Sequence, residues 1–166
     1  MSSLRSTKFI ADAMLGSLAR KLRILGFDTT YYRAGDDKGM LKLAKRERRL
    51  ILTSDKSLHC RAVASGLPSF LLTGNTDLAR ASALVHSANE SGVVFVQGDP
   101  LCSVCGSKLR SIARKFLDGH VSPNVLKHHR LFLTCDKCDK IYWKGTHWKR
   151  IRAFERSLRR RDNGGR

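Results

Sequence analysis

The first hundred residues alternate between short, continuous apolar runs and stretches in which apolar residues recur at helical spacing. The continuous runs are typical of strands in a buried parallel sheet, and they fall at residues 8–12, 28–32, 50–53, 70–72 and 93–96. After the first run, six apolar residues follow the period of an amphipathic helix: Met14, Leu15, Leu18, Ala19, Leu22 and Leu25. The alternation of strand and helix predicts an α/β fold, with a mostly parallel sheet flanked by helices.

The same periodicity predicts three more helices, at residues 40–44, 58–64 and 78–88. The pattern ends near Gly98-Asp99-Pro100, and after Trp148 the apolar residues again have a helical period. We therefore predict a sheet domain over residues 1–99, a cysteine-rich module over 100–150 and a basic helical tail over 151–166.

The charge of the chain is strongly positive and unevenly distributed. The 166 residues carry 32 Lys and Arg against 14 Asp and Glu, a formal net charge of +18. Residues 1–99 hold 15 basic and 9 acidic side chains, a net of +6, whereas residues 100–166 hold 17 and 5, a net of +12. Such a surface favours a polyanionic partner, and the cationic C-terminal part is the expected contact. No apolar run approaches the roughly 20 residues that a membrane span needs, and the first residues lack the apolar core of a signal peptide.

Four of the five cysteines form two short pairs, Cys102-x-x-Cys105 and Cys135-x-x-Cys138. This spacing predicts two knuckles that close one tetrahedral zinc site. The site would be structural, because four thiolates leave no open position on the ion. Paired cysteines of this type also favour a reducing compartment, so we expect the protein to be cytoplasmic.

Acidic residues recur where the predicted strands end. Asp12 follows the first strand and Asp55 the third, and Asp36 and Asp37 come after the second. In an open parallel sheet these positions meet at one edge, where ligands bind. Clustered carboxylates suit hard ions such as Mg²⁺ or Mn²⁺, which activate water for phosphodiester hydrolysis. Each residue alone could instead cap a helix or serve a turn, and the sequence leaves these alternatives open.

Three segments resemble a known family. Residues 9–28, FIADAMLGSLARKLRILGFD, and residues 49–58, RLILTSDKSL, are similar to two signatures of the Mut-seven C-terminal RNase domain family, a PIN-like nuclease group. The two cysteine pairs and residues 141–148, IYWKGTHW, resemble its zinc ribbon and the segment that follows.

The resemblance implies a PIN-like nuclease domain, a structural zinc ribbon and RNase activity that depends on a divalent metal. By position, Asp12 and Asp55 match the two acidic anchors, and Asp37 matches the acid that opens the second helix, with Asp36 as the near alternative. A fourth acid is less clear, and Asp77 is the candidate. Because PIN-like domains often pair, a homodimer is also open.

Candidate RNA contacts are cations on the first helix and cations interleaved with aromatic residues after the second cysteine pair, where bases could stack and phosphates bind. They are Arg20, Arg23, Lys140, Lys144, His147, Trp148, Lys149 and Arg150. Tryptophans in this region could instead pack the ribbon against the sheet domain, which we favour for at least one of them.

Taken together, these features predict a metal-dependent ribonuclease acting in RNA processing or turnover. We favour an endonuclease, and the sequence by itself leaves open whether cutting is endo- or exonucleolytic. The main alternative is a non-catalytic protein that retains the PIN-like fold and binds RNA or the ribosome. The sequence does not identify the RNA.

Overall fold

The computed structural model describes residues 7–162, and the side chains described are those of residues 7–145 and 148–156. The strands are β1 (Phe9–Ala11), β2 (Thr29–Tyr31), β3 (Leu50–Thr53), β4 (Ser69–Leu71), β5 (Leu109–Ser111), β6 (Phe132–Cys135) and β7 (Ile141–Trp143). The helices are α1 (Gly16–Ile24), α2 (Asp37–Glu47), α3 (Lys56–Ala64), α4 (Asp77–Glu90), α5 (Pro123–His128) and α6 (Thr146–Asp162). Short 3₁₀ turns cover Ala13–Leu15 and Arg114–Phe116.

The first four strands form one parallel sheet in the order β2-β1-β3-β4. Successive side chains of a strand point to opposite faces, so each central strand contributes to two cores. Phe9 and Ala11 of β1 pack with α1 and α4 on one face. Ile10 of the same strand and Ile51 of β3 pack with α2 and α3 on the other face. The predicted α/β class, with helices on both faces of a parallel sheet, is therefore confirmed.

The predicted fifth strand at residues 93–96 is wrong, because this segment is irregular in the structure. Its apolar residues are used in packing without a strand ladder. The Phe95 ring lies edge-on to Phe9 and Phe27, with ring centroids 5.2 and 6.2 Å away. A continuous apolar run signals burial, and burial alone does not distinguish a paired strand from a packed loop.

The cysteine-rich module is a three-stranded antiparallel sheet in the order β5-β6-β7. Its small core is formed by Leu117, Val121 and Phe132. This core holds the long segment between the cysteine pairs in place.

The C-terminal helix α6 returns to the first sheet domain. Ile151 is buried against Ile24 and Leu25 of the α1 end, with Trp148 and Phe154 beside them. The tail therefore contacts the sheet domain directly. The division into residues 1–99, 100–150 and 151–166 stays a prediction. Within the described residues, none of the helices is long and apolar enough to cross a membrane.

Candidate acidic edge and cysteine centre

The candidate acids lie at the carboxyl ends of the four parallel strands. Asp12 follows β1, Asp36 and Asp37 follow β2, Asp55 follows β3 and Asp77 follows β4. The chain direction of a parallel sheet thus brings all five to the same edge.

Asp12 is 7% exposed and both its carboxylate oxygens are engaged. Oδ1 accepts a 2.8 Å hydrogen bond from the Met14 amide, which caps the turn leading into α1. Oδ2 accepts hydrogen bonds from the Thr53 hydroxyl and from the Ser54 amide, the latter at 3.2 Å. Asp12 is therefore both a cap and a link between β1 and the end of β3.

Asp55 is linked to Asp12 through the fully buried Thr53. The Thr53 hydroxyl donates to Asp12 and accepts a 2.9 Å hydrogen bond from the Asp55 amide. The Asp55 side chain is exposed and caps α3, accepting hydrogen bonds on Oδ1 from the amides of Ser57 and Leu58 at 2.7 and 3.2 Å. Both of these bonds use the same oxygen, Oδ1.

Asp36 and Asp37 have different surroundings. Asp36 caps α2, with Oδ1 accepting from the Tyr32 hydroxyl at 2.6 Å and Oδ2 accepting from the Gly39 amide at 2.7 Å. These two bonds lower the pKa of Asp36, and the Tyr32 hydroxyl has a raised pKa because it donates to that carboxylate. Asp37 begins α2 and pairs with Arg61 of α3. Both Asp36 oxygens are used in the α2 cap, whereas the Arg61 pair uses Oδ2 of Asp37.

The glycine inside α2 is explained by the same contact. A Cβ at Gly39 would overlap the Tyr32 hydroxyl and the Asp36 carboxylate. Glycine is therefore needed for the Tyr32 hydroxyl to reach the Asp36 cap.

Asp77 begins α4 and is held by α1. Its Oδ2 accepts hydrogen bonds from the Ser17 hydroxyl at 2.6 Å and from the Lys21 ammonium at 2.7 Å. Burial raises the pKa of Asp77, but the bonds from Lys21 and Ser17 outweigh it, so the pKa is below its ordinary value. Lys21 also lies 5.0 Å from the centre of the Phe154 ring of α6.

The acids share an edge but do not form a compact ligand cluster. Among residues with described side chains, only the four paired cysteines bring three or more potential ligand atoms within 4.8 Å of one another. The carboxylates supply the oxygen donors that Mg²⁺ and Mn²⁺ prefer. Their donor chemistry therefore fits such an ion. In the structure, Arg61 pairs with Asp37 and Lys21 pairs with Asp77.

The four cysteines converge on one point between the first knuckle and the β6–β7 hairpin. Sulfur atoms are 3.4 Å apart for Cys102 and Cys138, 3.3 Å for Cys105 and Cys135, and 3.9 Å for Cys105 and Cys138. Zn–S bonds of about 2.3 Å would place the sulfurs of a tetrahedron about 3.8 Å apart. The cluster is therefore a site that could hold a zinc ion.

The surroundings of the thiols favour ionised sulfur at Cys102. Burial raises the pKa of Cys102, but the Tyr142 hydroxyl and nearby backbone amides donate to it and lower the pKa to about 6. For Cys138, the Lys140 amide lowers the pKa, but burial and hydrogen bonds to the other thiols raise it to about 12. Tyr142 thus serves the cysteine site, since its hydroxyl is 3.1 Å from the Cys102 sulfur.

Arg23, one of the predicted RNA contacts, links α1 to β2 and to the first cysteine pair. It is 5% exposed, and its guanidinium donates to the carbonyls of Thr29, Ser103 and Val104 at 2.7, 3.2 and 2.8 Å. Burial lowers the pKa of this arginine. Three of its five N–H groups are therefore used to hold β2 and the first cysteine pair.

The other RNA candidates divide by exposure. Trp148 of α6 packs against Ile24 and Leu25 at the end of α1, the kind of packing role that we favoured for one tryptophan. Trp143, by contrast, is 37% exposed. Five cations are exposed: Arg20, Lys140, Lys144, Lys149 and Arg150. The His147 side chain lies outside the described residues.

Several residues of the edge were not anticipated from the sequence. Thr53, Arg61 and Lys21 bind the candidate acids from other elements of the fold. Only Thr53, directly before Ser54-Asp55, carried a signal, since a polar residue ending a buried strand faces the edge.

The Mut7-C RNAse domain family model matches residues 7–154 of the chain, which include the acidic edge and all four paired cysteines. The chain belongs to this family. No curated protein and no solved structure matches it significantly. Family membership indicates a nuclease-type domain that acts on RNA.

Proposed function

As the chain belongs to the Mut7-C RNAse domain family, we propose that it is a divalent-metal-dependent ribonuclease that cuts RNA internally, in processing or turnover. The proposal rests on one observation in particular. The Thr53 hydroxyl joins Asp12 and Asp55 at the carboxyl edge of the sheet, where Asp37 also lies.

We assign the ion to Asp12, Asp37 and Asp55. Mg²⁺ or Mn²⁺ bound there would polarise the phosphodiester and lower the pKa of a bound water. Asp55 would bind through the oxygen that its helix cap leaves free. Thr53 and Ser54 would orient Asp12, and Arg61 would orient Asp37 while compensating its charge.

Two acids have supporting roles in this assignment. Asp36 fixes the start of α2, with both oxygens bound locally. Asp77 is bound by Ser17 and Lys21, so it would shape the edge without ligating the ion directly.

The exposed cations after the second cysteine pair would bind the RNA backbone, and Trp143 would replace Trp148 as the aromatic residue open to a base. Zinc in the cysteine site would hold this surface in shape. We also propose a cytoplasmic location, because cysteine pairs of the zinc-binding type favour a reducing compartment.

The activity can be tested with purified full-length chain and a labelled single-stranded RNA. We expect cleavage with Mg²⁺ or Mn²⁺, none in EDTA, and a loss of at least roughly 100-fold in Asp55→Asn. Asparagine remains a good helix cap, so α3 should stay intact. Internal fragments from an RNA blocked at both ends would establish endonucleolytic cutting.

The alternative is a non-catalytic RNA- or ribosome-binding protein. It is favoured by the caps of Asp12, Asp36 and Asp55, which give three of the acids a structural use. RNA binding without cleavage of any tested RNA would support this alternative, whether or not the binding depends on metal.

A further inference from the structure

A polar groove runs between the outer edge of β2 and the first cysteine pair. It encloses about 420 Å³ and is lined by three arginines, Arg23, Arg33 and Arg49, and by one carboxylate, Asp28. A concave surface with this excess of positive charge attracts anions.

Two of these arginines are already committed to the fold. Arg23 donates from Nε and Nη1 to three backbone carbonyls. Arg49 is 9% exposed and donates to Asp28 at 2.8 Å and to Glu47 at 2.7 Å. Three of the five N–H groups of each are bonded within the fold, so these two arginines contribute mainly positive charge to the groove.

Arg33 differs from both. It is exposed, and its guanidinium lies 5.0 Å from the centre of the Tyr31 ring. Among the described residues it forms no ion pair with a carboxylate. A planar guanidinium resting on an aromatic ring is held in orientation while its N–H groups stay open to a ligand.

The strand edge supplies a second donor. In the β1–β2 pairing, the Asp28 carbonyl accepts from Phe9 and the Tyr32 amide donates to Ala11. Alternation along the strand then directs the amide of Tyr31 away from β1, toward the groove. The sheet order makes β2 an edge strand, so this amide faces no further strand of that sheet.

Tyr31 also connects the groove to the acidic edge. Its hydroxyl donates a 2.9 Å hydrogen bond to the carbonyl of Ala13, the residue after Asp12. Arg33 itself lies in the loop that leads to Asp36 and Asp37. The groove therefore runs along β2 beside the cysteine module and includes Arg33, three residues before Asp36 in the chain.

We propose that Arg33 and the Tyr31 amide bind a backbone phosphate of the RNA, and that the strand passes along the β2 edge between the acidic edge and the first knuckle. The proposal rests on the RNA nuclease function proposed above. It adds a binding residue, Arg33, and a path for the RNA. Arginine suits this role because its fork can donate two hydrogen bonds to one phosphate.

The test measures RNA binding in an Asp55→Asn background, so that cleavage does not interfere. Arg33→Gln should weaken binding of a single-stranded RNA roughly tenfold, as for the loss of a charged hydrogen bond. It should also reduce the slope of log affinity against log salt by about 0.7. Arg33→Lys should keep the slope, because the charge remains, and lose part of the affinity.

The matched control is Lys42→Gln, which removes an exposed cation from α2. It should leave the slope nearly unchanged. RNAs with a single neutral methylphosphonate give a second measurement. At one position in the RNA, the methylphosphonate should weaken binding by the Asp55→Asn protein. It should have no effect on binding once Arg33 is also replaced.

Equal effects of Arg33→Gln and Lys42→Gln, or methylphosphonate effects that do not depend on Arg33, would overturn the proposed groove. Cleavage by the unmodified chain under the same conditions would show that the nuclease proposal stands by itself. Failure of the Asp55→Asn chain to bind any RNA, together with absent cleavage, would overturn both.

Discussion

Arg23 of α1 donates a 2.8 Å hydrogen bond to the carbonyl of Val104, inside the first cysteine pair. A buried side chain of the nuclease domain thus fixes the loop that carries two of the four thiols. The backbone repeats the link, because the Leu101 amide donates to the Arg23 carbonyl at 2.9 Å. Side-chain and backbone hydrogen bonds therefore hold the cysteine site against the sheet domain.

Removing this link should destabilise the protein. Arg23→Met leaves three carbonyls without this donor, one in a buried bond and two in partly buried bonds, so we expect a loss of about 3 kcal/mol in the free energy of unfolding. Arg20→Met, on the exposed side of the same helix, should change it by less than about 0.5 kcal/mol. Urea unfolding of both variants measures the difference, and equal stabilities would show that the guanidinium is not needed for the joint.

The Thr53 hydroxyl should matter for stability and for cleavage. Thr53→Val keeps the side-chain shape but leaves the buried Asp12 oxygen without this donor, at a cost of about 2 kcal/mol. It should also lower kcat, because Asp12 loses its orientation toward Asp55. Thr53→Ser retains the hydroxyl and should preserve activity. If valine and serine give the same cleavage rate, the link does not position the acids.

The cysteine site should contain close to one zinc ion per chain. Elemental analysis of reduced protein measures the content directly. Cys138→Ser removes one ligand and should release the metal and lower protection of amide hydrogens in β5–β7, whereas the α/β sheet stays folded. Cys60→Ser, at the exposed free thiol of α3, is the control and should keep the zinc. Reduced, folded protein without bound metal would contradict the prediction.

The ion pair of Asp77 should give a pH-dependent contribution to stability. Its pKa in the folded chain is below the ordinary value of 3.8, so its contribution is present above that pH and is lost as the pH falls through the folded pKa. At pH 6 we expect Asp77→Asn to cost about 1 kcal/mol, the upper size for a partly exposed pair. Below pH 3.8 the melting temperatures of wild type and variant should converge.

The same comparison with Lys21→Gln should show the same convergence, because it removes the other partner of the pair. A difference between wild type and Asp77→Asn that stays constant from pH 6 to pH 3 would assign the effect to the lost helix-start residue instead.

Periodicity in the sequence was sufficient for the first four strands and the helices between them. Each of these signals is local: a run of apolar residues, an N-cap or a helical period. The prediction for residues 93–96 failed because the apolar run there packs Phe95 against Phe9 without pairing. The cysteine spacing was equally informative, since all four sulfurs meet.

What the sequence determined by itself was the α/β class, the carboxyl-edge position of the acids and the grouping of the four cysteines. In each case the spacing along the chain or the order of the elements fixes the position of the residues. Only the tertiary structure decided which polar side chains are free. Arg23 and Arg33 are both arginines near the same strand, yet one is buried and donates to three backbone carbonyls, whereas the other is exposed and lies over the Tyr31 ring. Burial and hydrogen bonding depend on elements distant in sequence, and those contacts separate a structural arginine from a binding one.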